Sequence, residues 1–161
     1  MIGAVIFDLD GTVLDNEEKW EEAFRAVARN NAQPTTLSPQ GFIHEPGIGV
    51  KPNWRKITGD EALSEKLTRE TWVEYQKDEE VKIMAGVEEL IEEIKDKGWQ
   101  TALATGTEWH VVEKELEQVN LYLAFDVTTT GDEVLAQKPD PEIYLLTAQK
   151  LGVESSESTW S

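Results

Sequence analysis

The run Ala4-Val5-Ile6-Phe7, closed by Asp8-Leu9-Asp10-Gly11, constrains this chain more than any other stretch. A continuous apolar run of β-branched and aromatic residues suits a strand buried on both faces, as in a parallel sheet. Asp8 and Asp10 then stand at the strand's C-terminal end, and Gly11 and Thr12 turn the chain away. In open α/β sheets that end borders the ligand crevice.

The pattern further along supports a parallel sheet. From Met84 onward, helix and strand periods alternate. Val87, Leu90, Ile91 and Ile94 mark an amphipathic helix ended by Gly98, and residues 100–104 read as a short strand. Residues 108–119 are helical through Val111, Val112, Leu116 and Val119, and 125–129 read as another strand. Residues 140–151 form a helix with Pro141 in its first turn and Gly152 past its end. The order β…αβαβα predicts an α/β layer with right-handed crossovers.

An all-helical segment interrupts this order after the first strand. Over residues 16–30, Trp20, Phe24 and Val27 share one face, while Glu17, Glu18, Glu21 and Glu22 cover the other. Residues 31–59 are rich in Pro and Gly, with short helices expected around 38–43 and 52–58. Residues 60–77 carry a second helical pattern through Leu63, Leu67, Thr71 and Tyr75. Trp54 and Trp72 are expected in the core of this segment. Asp78-Glu79-Glu80 fits a linker and a solvated helix end equally well.

The formal net charge is -17 over 161 residues. That balance repels nucleic acid and anionic membrane, because both need Lys and Arg to neutralise phosphates. A phosphate site on such a chain must be made locally, from a metal ion, a lysine and backbone amides. There is no cysteine, so disulfides and thiol chemistry are excluded, and the two histidines, His44 and His110, are too few for a histidine-rich metal site. The short apolar run at the N-terminus lacks a basic leader, and no stretch has the length of a membrane span, so a cytoplasmic protein is expected.

Two close carboxylates suit phosphoryl transfer. Asp8 is placed to attack phosphorus and form an aspartyl-phosphate, with Asp10 as the acid and base for the leaving group and water. Such a pair also attracts Mg²⁺, so Asp8 and Asp10 are the metal candidates. Taken alone, Asp-x-Asp also fits a strand-terminal acid followed by a turn Asp-Gly, and that plainer reading is the commoner one.

The motifs together resemble the haloacid dehalogenase superfamily of phosphatases. Phe7-Asp8-Leu9-Asp10-Gly11-Thr12-Val13 is similar to its first motif. Thr101-Ala102-Leu103-Ala104-Thr105-Gly106 is similar to the second, a Thr or Ser ending the next strand. Gln137-Lys138-Pro139-Asp140-Pro141 is similar to the third, a Lys before a helix. The resemblance implies a Rossmann-like three-layer α/β core over 1–15 and 83–161, with a helical cap over 16–82. It places Thr105 and the Gly106 amide on phosphate, with Lys138 as charge partner of phosphate and nucleophile. Pro139 restricts Lys138 to extended backbone, which helps aim its side chain.

The insertion resembles the cap of the β-phosphoglucomutase and phosphoglycolate phosphatase subgroup, where closure over the core selects the leaving group. Its loop-rich stretch offers His44, Lys51, Asn53 and Arg55 as substrate contacts. The implied activity is Mg²⁺-dependent hydrolysis of a small phosphorylated metabolite. A phosphomutase of the same subgroup and a catalytically silent binding or assembly protein are the alternatives.

One family feature is not found. The fourth motif, an acidic pair ending a further strand, should follow Thr159-Trp160-Ser161, and Glu154 and Glu157 lie in the preceding loop as poor substitutes. A fragment is therefore expected, with a weakened magnesium site and the first strand left as a sheet edge. A complete core would be monomeric, whereas a truncated one invites a dimer or strand exchange.

Overall fold

The computed structural model describes residues 3–77 and 80–153. The chain divides into two compact units, Asn16–Glu80 on one side and Met1–Asp15 with Val81–Ser161 on the other. Asp78, Glu79 and the segment 154–161, including Glu154, Glu157 and the expected last strand, fall outside the described residues.

The discontinuous unit is an α/β layer. Strands β1 (Ala4–Phe7), β2 (Gln100–Ala104) and β3 (Val127–Thr129) are parallel in the order β1-β2-β3. The register pairs Phe7 with Leu103 and Ala104 with Thr129, so the three strands end close together. Helices α4 (Val87–Asp96), α5 (Trp109–Gln118) and α6 (Glu142–Leu151) cover the sheet, numbered after three helices of the other unit. Strand period sorts the faces. Phe7 and Leu103 pack with Ile91, Ile94, Val112 and Leu116 of α4 and α5. Ala104 packs with Ile143 of α6, joined by Ile6. A helix layer on each face suits the apolar run of β1 and the Ala-Leu-Ala end of β2.

After β1 the chain makes a tight turn, with the amides of Val13 and Leu14 both donating to the Leu9 carbonyl. Leu14 bridges Ile83, and the Asp15 amide donates to the Lys82 carbonyl at 2.9 Å. The helical segment therefore leaves and returns to the α/β unit at one paired place.

The helical unit consists of α1 (Glu17–Asn30), α2 (Val50–Thr58) and α3 (Glu61–Tyr75). Trp20, Phe24 and Val27 of α1 are buried as expected, with Trp20 stacked on Tyr75 at 3.7 Å between ring centroids. Trp54 is fully buried and its indole donates to Thr71 Oγ1 at 2.8 Å, whereas Trp72 is half-buried. The Asp60 carboxylate caps α3 by accepting from the Leu63 amide at 2.7 Å.

Some expected elements differ. Residues 38–43 form a turn rather than a helix. The Ser38 hydroxyl takes the Phe42 amide, and Gly41 sits at φ 89°, a conformation outside the helix. Helix α2 begins at Val50, two residues before the expected start, because Pro52 in the first turn sacrifices no intrahelical bond. Strand β3 is shorter than read: Asp126 is spent on crossing bonds to Thr101 instead. Leu90 is exposed on α4, and Glu21 of α1 turns inward instead of joining the solvated face.

Candidate active site

The site is assembled where the strands end. Asp8 follows β1, Thr105 follows β2, and Lys138 approaches on the loop before α6. The Lys138 ammonium donates to Asp8 Oδ1 at 2.8 Å and to the Ala104 carbonyl at 3.0 Å. Its tip also lies 5.1 Å from the centroid of the Tyr144 ring, within cation–π range. The Lys138–Pro139 peptide is cis. Burial pushes the Asp8 carboxyl above its ordinary value; Lys138 opposes that shift, and the charge of Asp10 adds to it.

Asp10 is held from another direction. Its Oδ2 accepts from the Thr107 hydroxyl at 2.7 Å and from the Thr105 hydroxyl at 3.3 Å. The Thr107 amide donates to Thr105 Oγ1 at 3.2 Å, so the two threonines brace each other. The Thr105 amide is tied to the Thr129 carbonyl at 3.0 Å, which anchors the loop to the end of β3. Gly106 lies between the threonines with its carbonyl against Gly131.

The structure thus brings Asp8, Asp10, Thr105 and Lys138 together, residues separated by up to 130 positions. These groups can combine a nucleophilic carboxylate, a second carboxylate for proton transfer and a cation beside them. Asp8 and Asp10 also offer hard oxygen donors. Among the described residues no group of three or more His, Cys, Asp or Glu side chains gathers for a metal. Magnesium retains several waters and is commonly bound through one or two carboxylates plus substrate phosphate, so this donor pair fits it.

Comparison with known proteins identifies the family. The model of the haloacid dehalogenase-like hydrolases matches residues 2–159. The chain belongs to the haloacid dehalogenase-like hydrolase family. It is 35% identical over 157 residues to a phosphorylated carbohydrates phosphatase of Thermotoga maritima, covering 93% of this chain and 71% of that protein. It is 28% identical over 159 residues to hexitol phosphatase B of Escherichia coli K12, covering 94% of this chain and 70% of that one. The crystal structure of CbbY from Rhodobacter sphaeroides, solved with phosphate, superposes with a TM-score of 0.80 at 26% identity, covering 95% of this chain and 74% of that chain. By ancestry the chain is a phosphatase of the haloacid dehalogenase type.

The remaining candidates of this family member belong to the helical unit. The His44 ring is buried, bonded to Glu21 at 2.6 Å and Glu17 at 3.3 Å, and stacked on Phe24. Asn53 is buried, and its side chain knits its own loop by pairing with Glu45 and the Gly49 carbonyl. Lys51 is ion-paired with Glu61 and Glu65, and Arg55 with Glu61. His44 and Asn53 thus organise the unit, while Lys51 and Arg55 stand at its surface.

Sequence reading missed Thr107 and Gly131. Thr107 lies two residues past the motif threonine, and only the fold brings it to Asp10. Gly131 looks like an ordinary turn glycine in the sequence, and its role is visible only as close backbone approach.

Proposed function

We propose that the chain is a magnesium-dependent phosphomonoester hydrolase for small phosphorylated carbohydrates or related metabolites. The observation that carries the reading is Asp8 paired with Lys138 while Asp10 is held separately by threonine hydroxyls. The two acids have different partners: a cation beside Asp8 favours its ionised, nucleophilic form, while hydroxyls hold Asp10. The names of the relatives from Thermotoga and Escherichia support the carbohydrate class.

In the first half-reaction an Asp8 carboxylate oxygen bonds to phosphorus and the bond from phosphorus to the leaving oxygen breaks. Asp10 enters as the acid and gives its proton to that oxygen. In the second, water attacks the aspartyl-phosphate and loses its proton to Asp10, the bond between phosphorus and Asp8 breaks, and inorganic phosphate departs. Lys138 offsets phosphoryl charge and holds Asp8, while Thr105 and Gly106 bind phosphoryl oxygens. Asp8 and Asp10 would hold Mg²⁺, which supplies positive charge to the phosphoryl group. Lys51 and Arg55 are the candidates for an anionic or hydroxyl-rich leaving group, and the helical unit acts as a cap that excludes water.

The test is phosphate release from hexose and hexitol phosphates with Mg²⁺, with Asp8→Asn as control. Turnover by the native chain and none by the variant is expected. A folded native chain that hydrolyses no phosphomonoester would defeat the reading. Isomer interconversion primed by a bisphosphate would replace it with a phosphomutase.

A further inference from the structure

Resting on that reading, we infer that Thr107, seated by Gly131, is the positioning residue that aims the Asp10 carboxylate. Asp10 is attached to the turn after β1, yet its carboxylate is held by a loop from β2. The Thr107 bond, at 2.7 Å, is the short one; the Thr105 bond is 3.3 Å. A short hydroxyl bond to one carboxyl oxygen fixes the direction of the group and leaves the other oxygen to carry the proton.

Thr107 in turn needs a seat. Its carbonyl accepts the Gly131 amide at 3.0 Å. The Gly131 carbonyl accepts from Gln137 Nε2 at 2.9 Å, next to Lys138 in the chain. A Cβ placed on Gly131 would meet the Gly106 carbonyl oxygen at 2.1 Å and its carbon at 2.7 Å. Those are backbone atoms that cannot swing aside, so only glycine lets the two loops meet. The resulting series runs from the Lys138 loop through Gly131 to Thr107 and Asp10. It links the charge partner of the nucleophile to the aim of the proton donor.

The inference separates two substrates. An alkyl phosphate needs its leaving oxygen protonated, whereas p-nitrophenyl phosphate departs without help. Comparing kcat/KM at saturating Mg²⁺ keeps metal occupancy constant and confines the measurement to steps up to leaving-group departure. Thr107→Val should lower kcat/KM for the alkyl phosphate by about tenfold to a hundredfold, with little change for p-nitrophenyl phosphate. Thr107→Ser keeps the hydroxyl and should restore most of the loss. Gly131→Ala should show the same substrate-dependent loss. An equal loss on both substrates, or none on either, overturns the positioning role while leaving the phosphatase reading intact.

Crystal structures of Thr107→Ser and Gly131→Ala decide the point without turnover. Asp10 should remain bonded to the hydroxyl of the first and lose its hydrogen bond to the Thr107 hydroxyl in the second. An unmoved Asp10 in Gly131→Ala would overturn the role of Gly131 even if the native chain proved inactive. Should Gly131→Ala fail to fold, the Thr107 pair still decides: a serine that rescues nothing sinks the proposal.

Discussion

The Lys138 ammonium is buried between Asp8 Oδ1, at 2.8 Å, and the Ala104 carbonyl, at 3.0 Å, with only 10% of its side chain exposed. One cation therefore ties the end of β1 to the end of β2. Lys138→Met should lower turnover by roughly a hundredfold or more, the scale of losing one preorganised donor to the transition state. It should also change the pH profile. Asp8 must be ionised to attack, burial already raises its pKa above 3.8, and Lys138 works against that rise. Removing the lysine raises it further, so the acid limb of kcat/KM should move to higher pH. A pH–rate profile of the variant checks this, and an unmoved acid limb would count against the pairing.

Asp8→Asn is the sharper test of the nucleophile. The amide keeps the shape of the carboxylate and can still accept from Lys138 and the Leu9 amide, the partners that Asp8 has now. The fold should survive, with a thermal midpoint near that of the native chain. Turnover should vanish, because an amide oxygen does not form the acyl phosphate. Circular dichroism melting alongside phosphate release gives both readouts, and retained turnover would remove Asp8 from the mechanism.

Much of this was legible in the sequence because it depends on local pattern. The apolar run 4–7 forms β1, and Thr105 and Lys138 come to the same end of the sheet because parallel strands all finish there. What escaped depends on side-chain partners that the hydrophobic period does not reveal. Residues 38–43 have helix-compatible letters, but the Ser38 hydroxyl claims the Phe42 amide that a helix would use. Glu21 falls on the polar side of the α1 wheel, yet it accepts the Ile43 amide at 2.9 Å from the turn that replaced that helix. Thr107 was invisible for a related reason: its partner is 97 residues away.

Trp54 should be the keystone of the helical unit. It is fully buried in α2, its indole bonds Thr71 of α3, and its ring lies 5.2 Å from Phe24 of α1. Trp54→Ala empties the place where the three helices meet and strands the Thr71 hydroxyl contact. A loss of about 3–5 kcal/mol is expected. Hydrogen exchange on the whole chain should show it as lost protection in α2 and α3, with the amides of β2 much less affected. Equal loss in the sheet would mean that the two units unfold as one.

The His44–Glu21 pair predicts how that unit responds to pH. Burial works against the His44 imidazolium, but bonds to Glu17 and Glu21 outweigh it and raise its pKa above the ordinary 6.5. Its stabilising contribution is therefore complete below 6.5 and is lost as pH rises through the folded value. Burial also works against the Glu21 carboxylate, but the Ile43 amide, His44 and Arg25 donate to it and lower its pKa below 4.5. That contribution is complete above 4.5 and is lost as pH falls through the folded value. Both are complete together between 4.5 and 6.5, so the helical unit should be most resistant to opening in that window. Hydrogen exchange in α1 and at residues 41–44, corrected for the intrinsic pH dependence of exchange, measures it. His44→Gln should flatten the alkaline slope and leave the acid slope largely in place, because the Ile43 amide and Arg25 still hold Glu21. An alkaline slope that persists in the variant would assign the loss of stability to other groups.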